Sequence, residues 1–367
     1  MNSSILFVLS TRFPTEKAYG VTTEYIARAI GEITDFEIEV ITPKKDQNFT
    51  TKLKVREVHV PFQRFFDYVF SKFHSNTKII FNLKNLFYAI KLSLIFKNSK
   101  SIVWSRDILM SLVFRIFGFR VICEIHRTPS LPIRFLLGFL KKFSKVKFIL
   151  ISKHLQIKLR MDKENCIVAG MSINENEITM KKFSTRKTNF IVGYIGSKHS
   201  SGNELDIKQL IEAAVVVKSI NSKIKFKIIG FKINQCALDF KLPKNIKFIA
   251  RVPRSKIISK LDIFNVGLVI YPNTSYFQDS FPIKIVEYAA RKIPIIVSDT
   301  IAHRRILGSN KALFFKEGSG LDLANCILKF YEDDMLREKV AKNAYNWVEK
   351  HTYQKKALKI SKFILNM

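Results

Sequence analysis

A chain of 367 residues, 47% hydrophobic and 25% charged, is long enough for two domains and too apolar for disorder. Its 62 Lys and Arg against 30 Asp and Glu leave a formal net charge of +32, which points to polyanionic partners: nucleic acid, an anionic membrane surface or phosphorylated substrates. The cysteines Cys123, Cys166, Cys236 and Cys326 are far apart, so a disulfide framework or a metal site has no support and a reducing compartment fits.

The opening residues MNSSILFVLSTRF lack a basic leading segment and a small-residue cleavage site, and read as a first strand rather than a signal peptide. Lys91 breaks LFYAIKLSLIF and Arg115 breaks ILMSLVFRIFGF, so no run of about 18 apolar residues occurs. The expectation is a cytoplasmic protein without a spanning helix. The helix TTEYIARAIGEI follows the first strand, and FEIEVIT, SIVWS, FRVICEI and KFILIS read as further strands. β-Branched runs alternating with helical spacing predict βαβ units and a parallel sheet covered on both faces. The basic stretch 180–189, MKKFSTRKTN, interrupts the pattern, which restarts with FIVGYIG, ELDIKQLIEAAVVVKSI, IKFKIIG, NIKFIA, NVGLVIYP and IPIIVSD. We therefore expect a first domain over 1–183 and a second over 184–350. The tail is helical, with Leu336, Val340, Ala344 and Val348 on one side, and 351–367 is expected to pack back toward the first domain. Two doubly wound domains gather ligands at the C-terminal ends of their strands, and facing each other they enclose a cleft.

Four places carry candidate chemistry. Gly20 precedes the first helix outside any G-x-G-x-x-G pattern, which weakens a nicotinamide or flavin reading. It either lets an anion approach the helix N-terminus or is a plain loop glycine. Glu124, His126 and Arg127 end the strand FRVICEI, and Arg106 follows SIVWS. These are strand-end positions suited to a site, although a structural histidine and a surface arginine fit as well. Gly196, Ser197 and Lys198, with Gly202 in the same loop, offer backbone N–H groups and one cation to a diphosphate. In DSFPIKIVEYAARKIPIIVSD, Pro282 suits a first helical turn, capped by Asp279 or Ser280. Ile283, Val286 and Ala290 mark the apolar face and Glu287 lies beside it. Either the two carboxylates bracket a helix tip that receives phosphates, or Asp279 caps and Glu287 pairs with Arg291 four residues on.

Taken together, these stretches resemble the retaining GT-B glycosyltransferases of family 4, the glycosyl transferase group 1 kind. ILFVLSTRFPTEKAYGVTTEYIARAI resembles the family's opening strand, glycine turn and helix, RDILMS and VICEIH its Arg-Asp and strand-end His elements, and FIVGYIGS the start of its donor domain. DSFPIKIVEYAARKIPIIVSD resembles its most specific motif, two acids separated by seven residues. The resemblance implies an α/β fold of two Rossmann-like domains. It implies that Glu287 holds the ribose of a nucleotide-sugar donor and that Asp279 lies near the donor sugar. The backbone around Ser280, Phe281 and Pro282, continuing into Ile283 and Lys284, would contact sugar and phosphate. His126 would touch the sugar, Gly20 would admit the diphosphate, and Lys198, beside Gly196 and Ser197, would neutralise it. Two departures stand out: Asp279 occupies a position where the family usually has Glu, and GSKHSSGNELD contains no clear Lys-Gly pair. Lys208 lies too far along the helix to replace it. Losing one preorganised charge-stabilising donor typically costs roughly 10²–10³ in rate. The implied chemistry needs no metal, no cofactor and no protein nucleophile, because the departing phosphate takes the proton of the incoming hydroxyl.

Residues 133–160 carry eight Lys or Arg and no acid, interleaved with Phe, Leu and Ile. This pattern suits docking on an anionic leaflet and a lipid-linked or membrane-proximal glycan acceptor; solvated lysines over a buried core would look the same. The expected function is retaining hexosyl transfer from a nucleotide sugar in bacterial surface polysaccharide synthesis, with the protein peripheral on the membrane. The competing classes are a nucleic-acid-binding protein, for which no zinc pattern, RRM-like aromatic motif or Arg-Gly repeat is found, and another GT-B nucleotide-sugar enzyme such as a hydrolase or epimerase.

Overall fold

The computed structural model describes residues 4–72, 77–179, 189–196, 203–230, 242–274, 277–279, 281–365 and 367. The chain forms two compact units, Met1–Gly170 with Tyr353–Met367, and Met171–Thr352.

In unit 1 the elements run β1 (Ser4–Val8), α1 (Ala18–Ile33), β2 (Glu37–Thr42), β3 (Lys54–Glu57), α2 (Gln63–Lys72), α3 (Thr77–Ile95), β4 (Ile102–Ser105), α4 (Ile108–Ile116), β5 (Arg120–Ile125), α5 (Leu131–Leu140), β6 (Val146–Leu150), α6 (Lys153–Lys158) and β7 (Cys166–Val168). The sheet order is β3-β2-β1-β4-β5-β6-β7, and every pairing is parallel. β4 and most of β5 are buried runs, as parallel strands covered on both faces must be. Strand order reverses between β1 and β4, and in such sheets a crevice opens at that point beyond the strand ends.

Unit 2 repeats the plan with β8 (Phe190–Ile195), α7 (Asn203–Ile220), β9 (Ile224–Ile229), β10 (Ile246–Ile249), α8 (Ile257–Leu261), β11 (Val266–Val269), α9 (Ile283–Ala290), β12 (Ile295–Ser298), α10 (Ile301–Leu307), β13 (Leu313–Phe315), α11 (Gly320–Glu332) and α12 (Asp334–Val348). Its parallel sheet has the order β10-β9-β8-β11-β12-β13, reversing between β8 and β11. One face packs Val192, Phe226 and Leu268 against Leu210 and Ala214 of α7 and Leu323 and Ile327 of α11. The other packs Val269 and Val297 against Ile285 and Val286 of α9 and Ala344 and Val348 of α12.

The last helix, α13 (Tyr353–Ile364), belongs to unit 1, where Tyr353, Ala357, Ile360 and Ile364 join Ile26 and Ile30 of α1 in one core. The division falls at Gly170, whereas the sequence pattern put it at 183. The reason is long-range pairing: Ile173 N donates to His351 O at 3.0 Å, Thr179 N donates to Ala290 O at 3.1 Å, and the Thr352 hydroxyl donates to Glu175 at 2.9 Å. Among the described residues, no helix is long and apolar enough to cross a membrane.

Candidate functional site

In unit 2 the residues of interest sit where β8, β11 and β12 end and α9 begins. Pro282 is the N-cap of α9 and makes no side-chain cap, so neither Asp279 nor Ser280 holds the position expected from the sequence. First-turn amides of such a helix are left to bind an anion. Every residue of α9 from Lys284 to Ala290 is buried, which removes the idea of a solvent-facing helix. Glu287 is 3% exposed and Asp279 4%. The Glu287 carboxylate is paired with the Arg254 guanidinium, from the short 3-10 turn Arg254–Lys256 after β10. Arg254 also reaches Glu177 at 3.4 Å. The local alternative, Glu287 with Arg291, does not form. Arg291 instead makes a two-pronged bond to Asp262, at 2.7 and 2.8 Å.

Lys284, in the first turn of α9, is buried, with its ammonium 4.3 Å from the ring centre of Tyr194 at the end of β8 and 5.1 Å from that of Tyr271 after β11. A cation thus stands at the helix tip, held by aromatic faces. His303 is buried at the start of α10, with Nδ1–H donating to Ser298 O at 2.8 Å. Burial pushes its imidazolium down to about 4, against that carbonyl bond, with Lys284 acting in the same direction as burial, so the ring is neutral at pH 7. Gly196 closes against Tyr194, and its N–H donates to Ile229 O at 3.0 Å. Phe281 stacks its ring on Trp347 at 6.1 Å, leaving the backbone as its contribution to any site, and Ile283 packs on the core beneath. Ser197, Lys198, Gly202 and Ser280 lie outside the described residues. Lys208 is exposed on α7.

In unit 1 the strand-end residues converge on one carboxylate. Glu124 is 1% exposed and accepts from Arg106 Nε at 2.8 Å and Trp104 Nε1 at 3.2 Å, with His126 Nε2 at 3.1 Å and Lys356 Nζ at 3.5 Å. Burial alone would raise its carboxyl, but the charges of Arg106, His126 and Lys356 together hold it well below the usual range. Burial lowers His126 and Lys356 in turn, against the pull of Glu124. Arg106 is no loose surface charge: its other nitrogens donate to Tyr19 O at 3.2 Å and Thr22 Oγ1 at 3.0 Å, tying the first turn of α1 to the end of β5. Gly20 and His126 are thereby brought to one place. Gly20 lies inside that first turn rather than in the loop before it, and a Cβ there would lie 2.6 Å from Thr15 O. Asp107 caps α4, accepting from Met110 N at 2.9 Å.

Sequence reasoning missed Arg254, Lys356 and His303. His303 follows a strand end and was open to the same positional argument as His126; Arg254 and Lys356 find their carboxylates only through the fold. Among the described residues no cluster of His, Cys, Asp and Glu is arranged to hold a metal ion.

Residues 175–347 match the model of the family described as glycosyl transferases group 1. No curated protein sequence matches the chain. Three solved structures share the architecture across nearly their whole length. Sucrose-phosphate synthase from Thermosynechococcus elongatus has a TM-score of 0.71 at 12% identity, covering 100% of this chain and 99% of that one. Anabaena Alr3699/HepE in complex with UDP and glucose has a TM-score of 0.72 at 13% identity, covering 100% of both. WaaG, a glycosyltransferase involved in lipopolysaccharide biosynthesis, has a TM-score of 0.68 at 12% identity, covering 99% of this chain and 100% of that one. At such identities the likeness speaks for the fold. The chain has the GT-B fold of these structures, and its likeness to the glycosyl transferases group 1 family lies in residues 175–347.

Proposed function

We propose that the chain is a retaining glycosyltransferase moving a hexosyl unit from a nucleotide-diphosphate sugar to a glycan or lipid-linked acceptor, in bacterial surface polysaccharide synthesis. One observation carries the reading: α9 begins without a side-chain cap, holds a buried lysine in its first turn and a buried glutamate one turn further on, with Asp279 buried just ahead. HepE, solved in complex with UDP-glucose, shares this architecture at 14% identity and a TM-score of 0.70.

In this reading Glu287 accepts from the ribose hydroxyls, with Arg254 holding its carboxylate in place. The α9 amides, Lys284 and Lys198 take the charge that grows on the departing diphosphate, with Gly196 and Ser197 leaving room beside it. Asp279 and the backbone of residues 280–283 contact the sugar. His126, its Nε2 engaged by Glu124, offers the other ring nitrogen to a sugar hydroxyl. The acceptor oxygen bonds to the anomeric carbon as the carbon–phosphate oxygen bond breaks, and the acceptor proton passes to the leaving phosphate on the same face. No group of the protein is covalently modified.

Thermal shift with a panel of nucleotide sugars tests the donor site. The wild type should gain stability with its donor, and Glu287→Gln should lose most of that gain. A gain left intact by the substitution removes Glu287 from the ribose. Product anomeric configuration, read by NMR, tests retention: inversion overturns it. Release of nucleotide without any acceptor marks a hydrolase instead.

A further inference from the structure

Helix α5 turns the wrong residues outward for a helix facing water. Leu137 and Leu140 point into unit 1, yet Leu131, Phe135 and Phe139, four apart on the outer face, are 78%, 68% and 46% exposed. The two phenylalanine rings pack edge to face at 4.9 Å, so they form one ridge. Cations rim it. Arg134, Lys142 and Lys145 are exposed, and the Lys142 ammonium lies 5.5 Å from the Phe139 ring. Lys141 donates to Leu159 O at 3.2 Å and Arg160 O at 2.8 Å, joining the end of α5 to the end of α6. There Ile157 is 67% exposed, with Lys153 and Arg160 also exposed. No acidic residue occurs from 131 to 160, so nothing on this segment offsets the positive field.

We propose that this α5–α6 face is a docking surface for an anionic bilayer leaflet. Leu131, Phe135, Phe139 and Ile157 enter the boundary between headgroups and acyl chains, and the lysines and arginines stay level with the lipid phosphates. The combination selects this occupant. A nucleic-acid backbone would satisfy the cations and leave a ridge of Leu, Phe and Ile in water, whereas a leaflet satisfies both. The surface is independent of the donor chemistry: a chain that bound no nucleotide would still dock.

Flotation with vesicles of phosphatidylcholine, with and without phosphatidylglycerol, tests it. The wild type should float with the anionic vesicles and remain behind with the neutral ones. The variant L131S/F135S/F139S keeps every charge and should lose about tenfold or more in partitioning. A control, F65S/Y68S, removes exposed aromatics from α2 and should stay within about twofold of wild type. Phe135→Trp gives a second readout that needs no loss of binding: its emission should shift to the blue on anionic vesicles and be quenched by brominated acyl chains. The proposal is overturned if the triple variant floats as well as wild type, if the α2 control falls as far, or if the tryptophan at 135 continues to emit as in water.

Discussion

Unit 1 buries Glu124 at the end of β5 and unit 2 buries Glu287 in α9, and the two are held in different ways. Glu124 in unit 1 is ringed by Trp104, Arg106, His126 and Lys356, the last arriving from α13. Glu287 in unit 2 is gripped by Arg254, which divides its attention with Glu177. A carboxylate has about four acceptor positions. Glu124 has four cationic or N–H groups around it, and through Arg106 it fastens the first turn of α1 to the end of β5. Among the described residues Arg254 alone is paired with Glu287, and the proposed function gives its remaining acceptor positions to the hydroxyls of the donor.

Substitution tests that difference most sharply. Glu124→Ala leaves the buried Lys356 and the partly buried Arg106 without their counter-charge and should cost about 3–5 kcal/mol in urea unfolding. Glu287→Gln keeps a hydrogen-bonding group beside a partly exposed arginine and should cost about 1–3 kcal/mol, its main effect falling on donor affinity. Equal losses would erase the distinction.

Acid should test His303 next. The folded pKa of His303, about 4, lies below its ordinary 6.5, so the unfolded chain binds the extra proton. Its contribution is intact above 6.5 and drains away as pH falls toward 4, by an amount on the order of 3 kcal/mol. Glu124, held below its ordinary 4.5, keeps its contribution until pH drops under that value. His303→Asn, which keeps a donor for Ser298 O, should flatten the stability profile between those limits; an unchanged slope would place the titration elsewhere. The last test falls on the α1 turn. Gly20→Ala pushes a methyl against Thr15 O and should cost about 1–3 kcal/mol, read from thermal unfolding.

How far the sequence reached depends on distance along the chain. Alternating apolar runs reveal both sheets because a covered parallel strand has no other way to look. The burial of Glu287 is legible in its place beside Ile283 and Val286. Its partner is not, since Arg254 lies 33 positions away and Arg291, the local candidate, is captured by Asp262. The boundary was displaced for a similar reason: a lysine-rich stretch looks like a linker, while the tie of Ile173 to His351 leaves no compositional trace. Lys356 reads as one more lysine on a basic helix until α13 lays it beside Glu124.

That return of the chain sets an order of events at the ribosome. Unit 2 is one uninterrupted stretch, Met171–Thr352, and can close while synthesis continues. Unit 1 is translated first but completed last, because Ala357, Ile360 and Ile364 must emerge before Ile26 and Ile30 are covered. During that interval the nascent chain carries an open apolar groove and a half-neutralised carboxylate, and the final helix acts as its latch.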